Sequence, residues 1–335
     1  MSADLGVVVI GRNEGARLVR CLESVAAMRL PGRSVEVVYV DSESTDGSPE
    51  RARAAGARVV TLGEGPPSAA RGRNAGWQGT TAPAVLFLDG DTVLDPDFVA
   101  RALPELEAAR TAIVWGHRRE LRPQDSVYNR VLDLDWLYAP GETDFCGGDA
   151  LVRRQALAET GGFDASLIAG EEPELCRRLR ARGWTIRHLD LPMTQHDLAI
   201  RRFAQYWRRS FRAGRAYAEV ADRFRGSGDP LWDGVVRWNR RSAAVLLGAL
   251  PLGALGGLLL RSPWPLAAAA LGLAFLCARS AWRMRWKTRD RWTLALYGIH
   301  SHFAQIPIFF GQLAYRRDRR LGHKRGLIEY KETTR

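Results

Sequence analysis

Along the first hundred residues, short valine-rich runs alternate with stretches of helical spacing. Residues 6–10 (GVVVI) and 35–40 (VEVVYV) are apolar at nearly every position. A strand with one wet face alternates polar and apolar residues; a continuous apolar run belongs to a strand covered on both faces. Between the two runs, residues 14–28 set Leu18, Leu22 and Val25 at helical spacing, and PGR (31–33) turns the chain. A short helix from Ser48 leads to ARVVTL (57–62), a helix near 68–79 follows, and VLFL (85–88) closes the cycle. Residues 1–115 therefore predict a mostly parallel, three-layer α/β unit.

The pattern loosens from 116 to 170. Residues 127–140 read as a helix or lid, FCGGDALVRR (145–154) as an irregular loop entering a strand, and QALAETGGF as a short helix stopped by Gly161 and Gly162. A helix over 174–182 ends at Gly183, WTIRHL (184–189) is a further strand, and 198–224 is amphipathic and strongly basic.

After Gly226 the composition changes. Residues 243–260 and 262–278 contain no charged side chain and are separated only by Arg261. Each is short for a membrane span, which needs about 20 apolar residues. A buried core hairpin is the alternative. Apolar character all round, internal glycine and proline and nearby tryptophans favour a transmembrane helical hairpin. Arg237, Arg240 and Arg241 precede the first span and a basic run over 279–291 follows the second, which sets both ends on the cytoplasmic side. The stretch 292–315 also lacks Lys, Arg, Asp and Glu, but its histidines, glutamines and central proline suit a re-entrant or interface-lying helix pair as well as a third span. A basic tail over 316–335 is placed to contact anionic head groups. The expected organisation is an α/β domain over 1–225, divided at 115/116, and a membrane region over 226–335.

Charge adds to this picture. The 335 residues carry a formal net charge of +12. The basic runs at 237–241, 279–291 and 316–325 lie beside apolar stretches, which points to a membrane surface and away from nucleic acid. Cys21, Cys146, Cys176 and Cys277 form no Cys-x-x-Cys pair and read as free thiols in a reducing compartment. The start, MSADLGVVVIG, lacks a basic segment followed by a long apolar one, so the N-terminal part is expected to stay in the cytoplasm.

VLFL ends in Asp89-Gly90-Asp91, at the carboxyl edge of the expected sheet, where α/β proteins bind ligands. Two carboxylates there repel each other unless a cation or donor compensates, and such a pair suits a hard divalent ion shared with phosphate oxygens. Taken alone, Asp-Gly-Asp is also an ordinary turn. Together with VVVIGRNEGARLVRCLESV, VVYVDSESTDGSPE, ARGRNAGW and GGDALVRRQALAETGGFDASLIAGEEPELCRRLRARGW, it resembles the family 2 glycosyltransferases, over nearly all of residues 5–215.

The resemblance implies the GT-A nucleotide-diphospho-sugar transferase fold and a set of roles. Asn13 and Glu14 would lie beside the nucleotide, Asp41 would contact base or ribose, and Arg71, Arg73 and Asn74 would neighbour the sugar nucleotide. Asp91 would bind Mg²⁺ or Mn²⁺ directly, with Asp89 nearer ribose or sugar. His196 would supply a late metal ligand or touch the diphosphate, or is a surface histidine. The family's Glu-Asp before a helix is replaced by Glu171-Glu172-Pro173-Glu174. That match puts the catalytic base at Glu172, with Glu171 as rival; Pro173 suits the first helical position, and the acids gain from the helix N-terminus. Gly147 and Gly148 would let the acceptor approach the backbone, and Asp149 would bond a sugar hydroxyl. Gln205, Arg208 and Arg209 partly resemble the Gln-x-x-Arg-Trp motif of processive synthases, but Arg209 stands where that motif has tryptophan. Their basic surface would face a diphosphate.

The implied activity is metal-dependent, inverting, hexosyltransferase-like transfer from a nucleotide-sugar to a lipid-linked or glycan acceptor at the cytoplasmic membrane face. Assembly of a cell-envelope polysaccharide is the setting. A polyprenyl-phosphate monoglycosyltransferase, a non-catalytic membrane scaffold and a nucleotidyltransferase are the alternatives.

Overall fold

The valine runs form one side of a nine-stranded sheet in the structure, a computed structural model that describes residues 3–63, 65–108 and 110–323. Strand β1 (Leu5–Gly11) pairs in parallel with β2 (Val35–Asp41) and β4 (Ala84–Asp89), and β2 pairs in parallel with β3 (Arg58–Thr61). Every residue of β1 up to Ile10 is buried whichever way it points, so the sheet is covered on both faces. Shortening one of these side chains, Leu86 for example, would cost about 2–5 kcal/mol in lost transfer energy and cavity.

The rest of the sheet departs from the parallel expectation. Strand β8 (Ala150–Arg153) lies antiparallel between β4 and β6 (Thr111–Glu120), and β9 (Thr185–His196) runs parallel to β6. The short β5 (Thr92–Leu94) and β7 (Gly141–Glu142) pair antiparallel with β9. The strand order is β3-β2-β1-β4-β8-β6-β9-β5 with β7 beside β9, so the sheet is mixed. The helices in chain order are α1 (Ala16–Ala26), α2 (Ser48–Ala54), α3 (Ala69–Gln78), α4 (Phe98–Glu107), α5 (Val127–Asp135), α6 (Arg154–Thr160) and α7 (Glu171–Arg180). After them come α8 (Phe203–Arg223), α9 (Asp233–Leu260), α10 (Trp264–Arg283), α11 (Arg291–Phe303) and α12 (Gln305–Arg320). Helix α7 starts at Glu171, so Pro173 is its third residue and not its first; it is still in the turn where a missing N–H costs nothing.

The chain forms two units. One takes the residues up to Arg122 and Trp136–Leu198, with the whole sheet; the other takes Pro123–Asp135 and the chain from Ala199 on. The composition change at Gly226 falls inside the second.

In that second unit α8 and α12 cross at glycines. A Cβ on Gly214 would stand 2.0 Å from the Ile308 carbonyl oxygen, and one on Gly311 2.1 Å from that of Phe211. Only glycine permits this approach. Helices α9 and α12 are joined by polar side chains: Asn239 donates to Gln305 at 2.6 Å and accepts from Gln312 at 3.0 Å. Among the described residues two helices are long and apolar enough to cross a membrane, Asp233–Leu260 and Trp264–Arg283. The first begins at Asp233 rather than 243, so its opening turns carry Arg237, Arg240 and Arg241. Their apolar residues face outward; Leu252 is 68% exposed and Phe275 65%. The stretch 292–315 becomes parts of α11 and α12, 13 and 16 residues long, broken at Ala304. The basic tail lies outside the described residues from 324 on.

Candidate active site

Strand register brings the acids together. Ile10 of β1 is opposite Asp89, and Gly11 is opposite Asp41, so both aspartates end their strands on one sheet edge. The antiparallel pair β4–β8 sets Asp149 just before Ala150, the partner of Phe87, and the Asp89 amide donates to Asp149 Oδ1 at 3.0 Å. The pair β5–β9 matches Thr92 with His196, which carries the imidazole beside Asp91: His196 Nε2 lies 3.3 Å from Asp91 Oδ1.

Arg73, from α3, is the centre of the cluster. It is 2% exposed, and its Nη1 lies 2.8 Å from Glu171 Oε1 and 3.1 Å from Glu172 Oε1. Its Nη2 reaches Asp89 Oδ1 at 3.0 Å. The sequence placed Arg73 beside the sugar nucleotide; its partners within the protein are the acids. Burial alone would weaken the guanidinium's hold on its proton, but Glu172, Asp89 and Glu171 outweigh it and raise the pKa.

A second arginine had no motif to mark it. Arg118, near the end of β6, lies 2.8 Å from Asp149 Oδ2 and 3.4 Å from Asp89 Oδ2, with its guanidinium 5.5 Å from the centre of the Trp136 ring. Thr194 also donates to Asp149 Oδ2, at 2.7 Å. Burial nevertheless pushes the Asp149 carboxyl up, against the pull of Arg118. Trp136 packs edge-on against His196, ring centres 5.1 Å apart. Period-2 spacing on one strand could have revealed Thr194, two residues from His196. The one available signal for Arg118 was a charge at the end of an otherwise apolar run.

Gly148 lies among these groups. A Cβ there would stand 2.6 Å from Arg73 Nη2, 3.0 Å from Asp89 Oδ2 and 3.3 Å from Glu172 Oε1. The absent side chain leaves room at the meeting point of the acids. Glu172 is the more open glutamate, its side chain 18% exposed against 6% for Glu171. Glu174, beyond Pro173, accepts from Nε and Nη2 of Arg178, both at 2.6 Å. Behind the site Cys146 and Cys176 are buried, and their sulfurs lie 3.6 Å apart as free thiols.

The other expected residues fall into three groups. Asn13 and Asp41 build the first loops: Asn13 Oδ1 accepts from the Thr45 amide at 2.8 Å, while buried Asp41 accepts from Tyr39 Oη at 2.9 Å and the Ser44 amide at 2.8 Å. Glu14 pairs with Arg17 at 2.8 Å. Arg71 donates to the carbonyls of Pro66 and Gly63, both at 2.9 Å, and Asn74 joins α3 to both backbone groups of Phe163. Gln205 belongs to the second unit and caps α8, accepting from the Arg201 and Arg202 amides at 2.9 Å; Arg208 and Arg209 follow on that helix.

For a divalent metal, Asp89, Asp91 and His196 each offer a ligand atom, all within 4.8 Å of one another. Two carboxylate oxygens and one imidazole nitrogen suit a hard to borderline cation, and strand pairing already holds them at the sheet edge, so the residues fit the group.

Known proteins match this chain as follows. A model of glycosyl transferase family 2 matches residues 6–161, and one of glycosyl transferase family group 2 matches residues 84–282. Glycosyltransferase AglE of Haloferax volcanii is 20% identical over 225 residues, 64% of this chain and 73% of its own. The mannosyltransferase PcManGT of Pyrobaculum calidifontis, solved with GDP-Man and Mn²⁺, superposes with a TM-score of 0.59 at 22% identity, covering 95% of this chain and 88% of its own. S. aureus TarS 1–349, solved with UDP-GlcNAc, has a TM-score of 0.49 at 16% identity, with coverages of 96% and 93%. The mixed α/β sheet is the GT-A fold.

Proposed function

The chain belongs to glycosyltransferase family 2, and on that premise we propose metal-assisted, inverting transfer of a sugar from a nucleotide-diphosphate donor at a membrane surface. The observation that carries the reading is the acid cluster: Asp89 and Glu172 share the Arg73 guanidinium, while His196 meets Asp91.

In this reading the nucleoside lies over the loops built by Asn13 and Asp41, with its diphosphate towards Asp91. Asp91 and His196, with Asp89 beside them, hold Mn²⁺ or Mg²⁺; the imidazole favours Mn²⁺, because Mg²⁺ prefers oxygen ligands. The bound cation supplies positive charge where the diphosphate leaves. Asp89 and Asp149, aligned by Arg118 and Thr194, orient the donor sugar's hydroxyls. The acceptor hydroxyl enters over Gly148 and meets the Glu172 carboxylate. Glu172 takes its proton as the acceptor oxygen bonds to the anomeric carbon and the bond to the diphosphate breaks, inverting that carbon. Arg73 fixes the carboxylate's rotamer, so transfer depends on the geometry in which that carboxylate is held. Glu171, more deeply buried against Arg73, acts as the counter-charge.

The hairpin of α9 and α10 holds the domain at the cytoplasmic face of the membrane and favours a lipid-linked acceptor, as in envelope polysaccharide assembly. Support comes from its outward apolar residues and basic flanks. The test is nucleotide release from a panel of sugar nucleotides, with polyprenyl-diphosphate sugars as acceptors and Mn²⁺ or Mg²⁺ supplied. Asp91→Ala is expected to abolish the metal-dependent transfer. Near-normal turnover of that variant at saturating metal would overturn the assignment.

A further inference from the structure

We propose that a cavity in the second unit, between α8, α9 and α12, binds the phosphate of an anionic membrane lipid, separately from the transfer site. The inference rests on the membrane attachment proposed above.

The cavity measures about 430 Å³ and is lined by Arg225 of the α8 end, Val236 of α9, and Arg316, Arg319 and Arg320 of α12. Its lining contains one acid, Asp222, which is already committed. Asp222 Oδ1 lies 3.2 Å from Arg225, and Oδ2 accepts from Tyr315 Oη at 3.1 Å and pairs with Arg319. Among the described residues, Arg316 and Arg320 have no carboxylate within ion-pair distance. Arg316 is partly buried while Arg225, Arg319 and Arg320 stand exposed around it, and an anion is the ordinary relief for the repulsion of like charges so gathered. The recess bears this cost at Arg316: burial, then Arg240 and Arg225, pull its pKa below the usual arginine value.

A lipid phosphate fits better than a free one for two reasons. A second recess of about 290 Å³ shares Arg316 and Arg320 and adds Arg317 with Leu313 and Leu321, so two leucines lie directly beside the cations. In addition, α9 runs on from Val236 past Arg237, Arg240 and Arg241 into its apolar stretch, which puts the cavity at head-group depth. Phosphate among the arginines and a chain along the leucines match the head and tail of one lipid.

The test uses the full-length protein in neutral-detergent micelles and a fluorescent phosphatidylglycerol as probe. Unlabelled phosphatidylglycerol is expected to displace the probe. Phosphatidylcholine and inorganic phosphate at equal concentration are expected to leave it bound. Arg316→Gln with Arg320→Gln should weaken binding about tenfold. Restoring charge with Arg316→Lys and Arg320→Lys should recover most of it, while Asp222→Asn should tighten it. Equal binding by wild type and the glutamine variant overturns the proposal. Displacement by inorganic phosphate as effective as by lipid also overturns it, since the site would then take a free anion. Nucleotide release, followed in parallel, separates the two readings. Lipid binding lost in the glutamine variant with transfer intact supports the cavity as a lipid site; absent transfer by the wild type with selective lipid binding counts against the transferase reading alone.

Discussion

Arg73 Nη1 stands 3.1 Å from Glu172 Oε1. The proposed base is thus held by a buried cation that also binds Glu171 and Asp89. Glu172→Gln keeps the shape and the hydrogen bond but cannot take a proton. It is expected to bind donor normally and lose transfer by about a hundredfold or more. Glu171→Gln, which reduces the charge against buried Arg73, should chiefly lower the melting temperature and retain most turnover. Calorimetric donor binding together with single-turnover transfer separates the two. The reverse outcome would move the base to Glu171.

Gly148 offers a test of space rather than charge. A methyl group there meets Arg73 at 2.6 Å and Asp89 at 3.0 Å, both at the ends of side chains. Gly148→Ala should fold, because the new Cβ meets side chains that can shift, yet displace Arg73 and the two acids beside it, Asp89 and Glu172. We expect transfer to fall about a hundredfold with little change in melting temperature. Unchanged turnover would mean that the acceptor does not pass over Gly148.

Arg118 is the counter-charge of Asp149, and the pair is nearly closed to solvent. Removing one partner of a buried ion pair costs about 3 kcal/mol. Arg118→Ala should therefore be destabilising, and Asp149→Asn in the same chain should restore much of the loss. Thermal unfolding of both single variants and the double variant measures the coupling. Additive losses would show that the pair contributes no interaction of its own.

His188 makes stability depend on pH. Burial pulls its pKa below 6.5, with neighbouring His117 adding to the effect, while the Ala139 carbonyl oxygen, 3.1 Å from Nδ1, pulls the other way. As pH falls through about 6.5 the unfolded chain takes up a proton that the folded site refuses, so stability drops. The fall levels off once the folded site protonates too. His188→Gln should flatten the melting temperature between pH 5 and pH 7, in units where the unperturbed histidine sits at about 6.5. A wild-type curve already flat in this window would remove His188 as the cause.

The fold was legible from patterning where burial dictates composition. Strands covered on both faces need apolar side chains at every position, and the runs at 6–10, 35–40 and 85–88 have them. The outward-facing hairpin was legible for a related reason, since a helix without charge over such a length has no favourable contact with water. The antiparallel β8 and the long β9 were not. Whether a strand runs parallel or antiparallel depends on where the chain returns, and local composition does not encode that.

The candidate site divides along the same line. Asp89, Asp91, Glu171, Glu172 and Gly148 could be named from motif order, because their residue types and spacing lie within short stretches. Sequence alone also determined which stretches are buried and which helices are apolar enough for a membrane. Partnership was decided by the tertiary structure. Arg118 and Thr194 joined the acids through strand register, Trp136 came from the turn after α5, and Arg73 proved to hold the acids. A side chain's charge is set by its residue type, but the groups that surround and desolvate that charge arrive from distant parts of the chain.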